Sequence, residues 1–217
     1  MSIVIPLDRV EDRLRGGELW NAGWGTPEDP EAMTCLHGAI RYCQLVPGDA
    51  YLIEQVGARF GFGTGDNDEA ESWEEFRPRV PAVVTDDMLA DTFGPQWPQI
   101  VALVRRAATL TPEECQQLSA AWVFAWESAV AAFDAARDTV VAAARAAQWA
   151  AVGEAAWAAA WDDEWEYAGE SAGAARDTAR ALAVRHLIGS YGFTQAHYDT
   201  LTGPWRTVIG PAHPDDK

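Results

Sequence analysis

Lysine is all but missing from this chain. Lys217 is the only one, and arginine supplies the rest of the 16 basic residues. Those 16 stand against 33 acids, for a formal net charge of −17. A field of that sign repels phosphate backbones and anionic headgroups, so nucleic acid and membrane surfaces are excluded as main partners. Cutting after Leu110 leaves 18 acids and 9 bases before the cut and 15 acids and 7 bases after it, so neither half is a basic module.

Cysteine is equally sparse. Cys35, Cys43 and Cys115 form an odd set, which fits reduced, buried thiols better than a disulfide framework. Long apolar runs are absent too. No uncharged stretch reaches the roughly 18 residues of a membrane span, and Ile3–Leu7 is short and followed at once by Asp8 and Arg9, unlike a secretory leader. A cytoplasmic location is therefore expected. Also missing are a nucleophile elbow, a phosphate loop, a paired cysteine ligand set and a dinucleotide fingerprint. Gly61-Phe62-Gly63-Thr64-Gly65 is glycine-rich, but it follows a helical pattern and precedes carboxylates, which makes it a poor phosphate cradle.

What is present is apolar and small. The 217 residues are 48% apolar and 11% aromatic, enough for a packed core without staples. The fold class read from the pattern is all-α: a small N-terminal helical domain over 1–108, then a long-helix bundle rich in alanine and tryptophan over 109–217. The boundary rests on composition, since glycine and proline are absent from 113 to 152.

Within the first domain, Val10, Leu14 and Leu19 predict an amphipathic helix over Leu7–Asn21, weakened at Gly16-Gly17. Leu36, Ala39, Ile40 and Cys43 predict a second helix over Pro30–Leu45, and Leu52, Ile53 and Val56 a third over Ala50–Phe60. Asp66–Glu75, dense in carboxylates and leading into the proline-bearing Arg77–Pro81, reads as an exposed loop. Helices over Thr85–Thr92 and Trp97–Ala108 follow.

The second domain opens on the clearest local signal in the chain, Thr111-Pro112-Glu113-Glu114: an N-cap threonine, proline at the first helical position and glutamate three residues after the cap. A long helix is expected from there, continuing to Gly153 or breaking near Gln148. Its seam of Leu118, Trp122, Ala125, Ala129, Ala132, Ala136 and Ala143 allows close helix approach and offers a surface for a homo-oligomer. Gly169–Gly173 should turn the chain before a helix over Ala174–Ile188. Thr194 should cap a last helix to Leu201, stopped by Thr202-Gly203-Pro204.

Three groups of residues qualify as candidate sites. Trp157, Trp161 and Trp165 recur at helical i,i+4 spacing among Asp162, Asp163, Glu164 and Glu166, so they form core, an oligomer seam or a charged-rimmed partner surface. His186, Tyr191, His197, Tyr198, Asp199, Trp205 and Arg206 make the densest polar and aromatic collection; packed hairpin or small-molecule site are its two readings. The acids of Asp66–Glu75, Asp86–Asp91 and Asp162–Glu170 are either solvated faces or a line of phosphate mimics. Metal is not expected: on a helix Cys35 and His37 face different ways, and Cys35 and Cys43 lie roughly 12 Å apart at 1.5 Å per residue, too far to share a tetrahedral ion. No cofactor is expected either.

Gly23-Trp24 followed by Cys35-Leu36-His37-Gly38-Ala39-Ile40 resembles an uncharacterised family of actinobacteria and their phages, within residues 7–108. The resemblance implies a small helical domain and no established activity. Ala135-Ala136-Arg137-Asp138 and Ala174-Ala175-Arg176-Asp177 have the texture of hypothetical actinobacteriophage proteins, similar to the alanine- and tryptophan-rich second half. The leading expectation is a non-enzymatic interaction protein of phage or prophage origin, binding a host or phage protein in the host cytosol. An acidic DNA-mimic decoy, and an enzyme or binder built on His186 and His197, are the alternatives.

Overall fold

The computed structural model describes residues 2–15, 36–43, 46–70, 73–142 and 165–216, and its architecture is all-α. The described helices are α1 (Leu7–Arg15), α2 (Leu36–Cys43), α3 (Asp49–Phe60), α4 (Thr64–Glu69), α5 (Trp73–Phe76), α6 (Asp86–Phe93), α7 (Trp97–Ala107), α8 (Pro112–Ala142), α9 (Trp165–Val184) and α10 (Gln195–Val208). Two short strands, β1 (Ile3–Val4) and β2 (Val83–Val84), accompany them. By contact the chain forms two units, Met1–Leu89 and Ala90–Lys217. The change of composition at 108/109 is a different property: it marks where alanine takes over, while α7, which precedes it, packs on α9 within the second unit.

In the first unit β1 and β2 pair antiparallel, with Ile3 opposite Val84 and Val4 opposite Val83. Side chains alternate along a strand, so Ile3 and Val84 enter the core while Val4 and Val83 face out. Leu7, Val10 and Leu14, at helical spacing, line the inner face of α1, which packs on α2. Leu52, Ile53 and Val56 of α3 complete the core.

The glycine-rich segment is a backbone fold-back and not a loose loop. A Cβ on Gly57 would stand 2.8 Å from the Phe62 carbonyl oxygen, and one on Gly63 would stand 2.7 Å from the Ala58 Cα. Only glycine at both places lets the chain double back on α3 and bury Phe62.

The expectation of an exposed loop over Asp66–Glu75 is corrected, because α4 and α5 occupy much of it. The Asp66 carboxylate accepts from the Gly63 N–H at 3.0 Å, and Thr64 donates to Glu54 at 3.2 Å. Asn67 is fully buried, and its Oδ1 accepts from the Leu36 N–H at the start of α2, one of the orphan donors of a helix N-terminus. Phe76 anchors the far end in the core. Local capping and two buried side chains outweigh the charge density that reads as loop.

In the second unit α8 lies against α9 and α10, α9 and α10 touch each other, and α7 packs on α9. The helix expected from Thr111 is present. Thr111 Oγ1 accepts from the Glu114 N–H at 3.3 Å, Glu114 accepts from the Thr111 N–H at 3.0 Å, and Arg106 of α7 pairs with the same carboxylate. Whether α8 continues past Ala142 lies outside the described residues. Leu118, Ala129, Ala132 and Ala136 of the predicted seam are buried within this chain, so those positions are already covered.

Helix α9 is buried around almost its whole circumference between Ser171 and Val184, alanine filling Ala172, Ala174, Ala175, Ala179, Ala181 and Ala183. Small side chains let several helices approach one axis. The turn expected at Gly169–Gly173 is replaced by continuous helix. Gly173 sits beneath the indole of Trp122: a Cβ there would lie 2.9 Å from two ring carbons. The missing side chain makes room for a neighbour.

The stop expected at Thr202-Gly203-Pro204 is likewise corrected. α10 runs through it to Val208 with Pro204 inside, because Leu201, Thr202, Pro204 and Trp205 are all buried and their packing overrides the breaker.

Candidate functional site

Trp122-Val123-Phe124-Ala125-Trp126 is a run of five apolar residues on α8. At 3.6 residues per turn such a run wraps the helix, and on α8 it divides between an inward and an outward side. Trp122 turns inward, where its Nε1–H donates to Asp177 at 2.9 Å. Val123 and Phe124 turn outward, and Phe124 is 91% exposed. Val123, Trp126 and Val130, spaced by three and four, continue the exposed apolar stripe at 57%, 40% and 45%.

The stripe is joined to the interior by its own aromatics. The Trp126 ring lies 4.7 Å from that of Trp122 and 6.2 Å from that of Phe133, and the Arg180 guanidinium sits over the Phe133 face at 4.1 Å. Asp177 accepts from Arg180 at 2.8 Å, both of them buried on α9. Burial pushes the Asp177 carboxyl above its ordinary value, against the pull of the Trp122 N–H, Arg180 and Arg176. Burial likewise lowers the Arg180 guanidinium, opposed by Asp177. The outer face of α8 thus rests on a rigid inner network.

Acids outnumber bases along the same helix. Glu113 stands exposed at the N-terminal end of α8, and Asp134 and Asp138 at the C-terminal end. Arg137 pairs with Asp134 at 3.3 Å and with Asp138 at 3.5 Å. Counted along its length, α8 holds five acids and one base.

The predicted tryptophan stripe meets the structure only at its edge. Trp157, Trp161, Asp162, Asp163 and Glu164 lie outside the described residues; Trp165 and Glu166 begin α9, and their side chains also lie outside what is described.

The polar collection near the C-terminal end resolves into separate tasks. His197 stands at the third position of α10, its N–H donating to Thr194 Oγ1 at 3.2 Å while its Nδ1 accepts from the Thr194 N–H at 3.4 Å. Tyr198 is buried, and its hydroxyl donates to Asp216 at 3.0 Å; Trp205 is core. Asp199 accepts from Gln195 at 3.0 Å and pairs with Arg206 at 3.2 Å. His186 lies on the exposed 3₁₀ turn Arg185–Leu187, and Tyr191, φ 51, on the tight turn that follows. A shallow groove of about 540 Å³ is lined by Asp199, Gly203, Arg206, Thr207, Pro211 and Asp216. Neither His186 nor His197 lines it, so Asp199 and Arg206 are brought together there without a histidine.

Of the acids considered as phosphate mimics, Asp66 is spent as a cap and Glu75 pairs with Arg79 at 3.8 Å, while Glu69, Glu74, Asp86, Asp87 and Asp91 are exposed. Among the described residues no cluster of ligands suits a metal ion, and no helix is long and apolar enough to cross a membrane. No protein-family model, no curated protein and no solved structure matches the chain.

Sequence reasoning passed over Phe124 and Asp177. The first was not legible, since a run of apolar residues on a helix can be buried all round, as Ala181, Leu182, Ala183 and Val184 of α9 are. Nor was the second: a charged residue in an alanine-rich run reads as solvated.

Proposed function

We propose that this chain is a helical protein-interaction protein that takes up a partner protein on the outer face of α8, with the acidic, tryptophan-bearing segment around Trp157, Trp161 and Trp165 as a second contact. The observation that carries the reading is the exposure of Phe124, 91%, beside the exposed stripe of Val123, Trp126 and Val130. Exposing such an aromatic side chain to water is unfavourable, and covering it stabilises by about 25 cal/mol for each Å² of apolar surface removed from solvent. Resemblance of the N-terminal residues to actinobacterial and phage sequences directs the search to an actinobacterial host and its phages.

The test is a photo-crosslinking residue placed at position 124, with one at Thr207, exposed on α10, as control. A discrete adduct formed from 124 in actinobacterial lysate and absent from 207 is expected. Identical adduct patterns from the two positions would defeat the reading.

A further inference from the structure

Resting on that interaction role, we propose that the element seated on α8 is a basic amphipathic α-helix of the partner protein. Two features of the face select it. The first is geometric. The N–H and C=O groups of α8 are consumed within the helix, so a strand cannot be added to it and the contact must be made by side chains. Val123, Trp126 and Val130, with Phe124 beside them, form a ridge two helical turns long. A ridge of that kind seats into the groove between rows of side chains on a second helix.

The second feature is charge. α8 carries five acids against one base, with Asp134 and Asp138, which share Arg137, one and two turns beyond Val130, and Glu113 roughly 15 Å before Val123 at 1.5 Å per residue. A second copy of this chain would bring the same acids to the same rim and a net charge of −17 behind them, so self-pairing is opposed. A helix with lysine or arginine flanking its apolar stripe is steered toward the acidic α8, where a second copy of this chain would be repelled. The ridge also offers aromatic faces to guanidinium groups, as Phe133 already does to Arg180 at 4.1 Å.

The probes are two synthetic helical peptides read by fluorescence anisotropy with the full chain. One carries leucine on a single face flanked by lysine and arginine; the other has glutamate in place of every cation. The cationic peptide is expected to bind, to weaken as salt rises, and to bind at least about tenfold more tightly than its anionic counterpart.

Phe124→Glu separates docking from mere charge attraction. It makes the face more acidic, so capture by charge alone would be unchanged or tighter, whereas docking on the ridge predicts a loss of about tenfold or more. Val130→Ser should weaken binding in the same direction without changing charge. Circular dichroism and the urea midpoint of Phe124→Glu should match the parent, because the side chain is 91% exposed.

Equal binding of the two peptides, or undiminished binding of the cationic one to Phe124→Glu, overturns the proposal. So does a dimer of the parent chain in sedimentation that Phe124→Glu dissolves, which would assign the face to a second copy. A crosslink from position 124 without binding of the cationic peptide refutes the partner's chemistry alone; failure of both refutes the surface as well.

Discussion

The Trp122 indole on α8 and the Asp177 carboxylate on α9 are joined by a 2.9 Å hydrogen bond, and the other oxygen of that carboxylate accepts from Arg180. One side chain therefore links the helix that carries the exposed stripe to the helix at the centre of the bundle.

Asp177→Ala removes an acceptor from two buried donors and should cost about 3 kcal/mol of unfolding free energy. Its pH signature is the more telling result. Burial raises the folded-state pKa of Asp177 above its unfolded value. The contribution of the group is then fullest below the unfolded value and is lost as pH rises through the folded one. Relative to Asp177→Asn, the parent chain should gain stability on acidification, as measured by urea midpoints at a series of pH values.

Gly173→Ala tests the seat of the same indole. In an ordinary exposed helix that replacement stabilises by roughly 0.5–1 kcal/mol. Here the new Cβ would stand 2.9 Å from the Trp122 ring, so a loss of about 1–3 kcal/mol is expected instead. In a Trp122→Leu background the penalty should shrink, and a double-mutant cycle would give that coupling directly.

Tyr198 offers an alkaline test. Its hydroxyl donates to Asp216 at 3.0 Å, and a second oxygen of Asp216 accepts from the backbone of Ala212 at 3.1 Å and of His213 at 2.9 Å, so the tyrosine holds a closed turn. Burial first, and the Asp216 charge second, push the phenol above its ordinary range. The folded chain thus holds this proton more tightly than the unfolded one, and stability is lost as pH rises beyond the ordinary tyrosine value of 10.0. Tyr198→Phe should lower stability by about 1–2 kcal/mol at neutral pH and flatten the alkaline loss, seen in urea unfolding on both sides of that value.

At the start of α8, Thr111→Ala should cost about 1 kcal/mol by unmaking the cap. Burial acts to raise the Glu114 carboxyl, but the Thr111 N–H and Arg106 outweigh it and the net shift is downward. A lowered carboxyl stabilises above its unfolded value and ceases to do so as pH falls through the folded one. Glu114→Gln should therefore soften acid unfolding, the opposite sense to Asp177→Asn.

Much of the architecture was readable from local signals. The box at Thr111 is self-contained within four residues, and the faces of α1 and α3 follow from apolar spacing alone. The errors at Gly169–Gly173 and Pro204 share one cause: breakers were judged as if exposed, whereas Trp122 and Trp205 supply tertiary packing that no local rule contains. The α4–α5 segment failed because its carboxylates were weighed as charge, while Asp66 acts as a cap. For the candidate surface, the acidic tryptophan-bearing segment expected around Trp157, Trp161 and Trp165 lies almost wholly outside the described residues, and the exposed stripe on α8 is a different set of side chains. Nothing in the spacing of Trp157, Trp161 and Trp165 pointed to Phe124.

The alanine lining of α9 reaches beyond geometry into calorimetry. An alanine side chain has no rotamers to freeze, and it also hides little apolar area. Unfolding a core of this kind exposes less hydrocarbon per residue than unfolding one of leucine and phenylalanine, and the heat capacity released follows that area. The stability curve of the second unit should accordingly be shallow, changing little between cool and warm conditions.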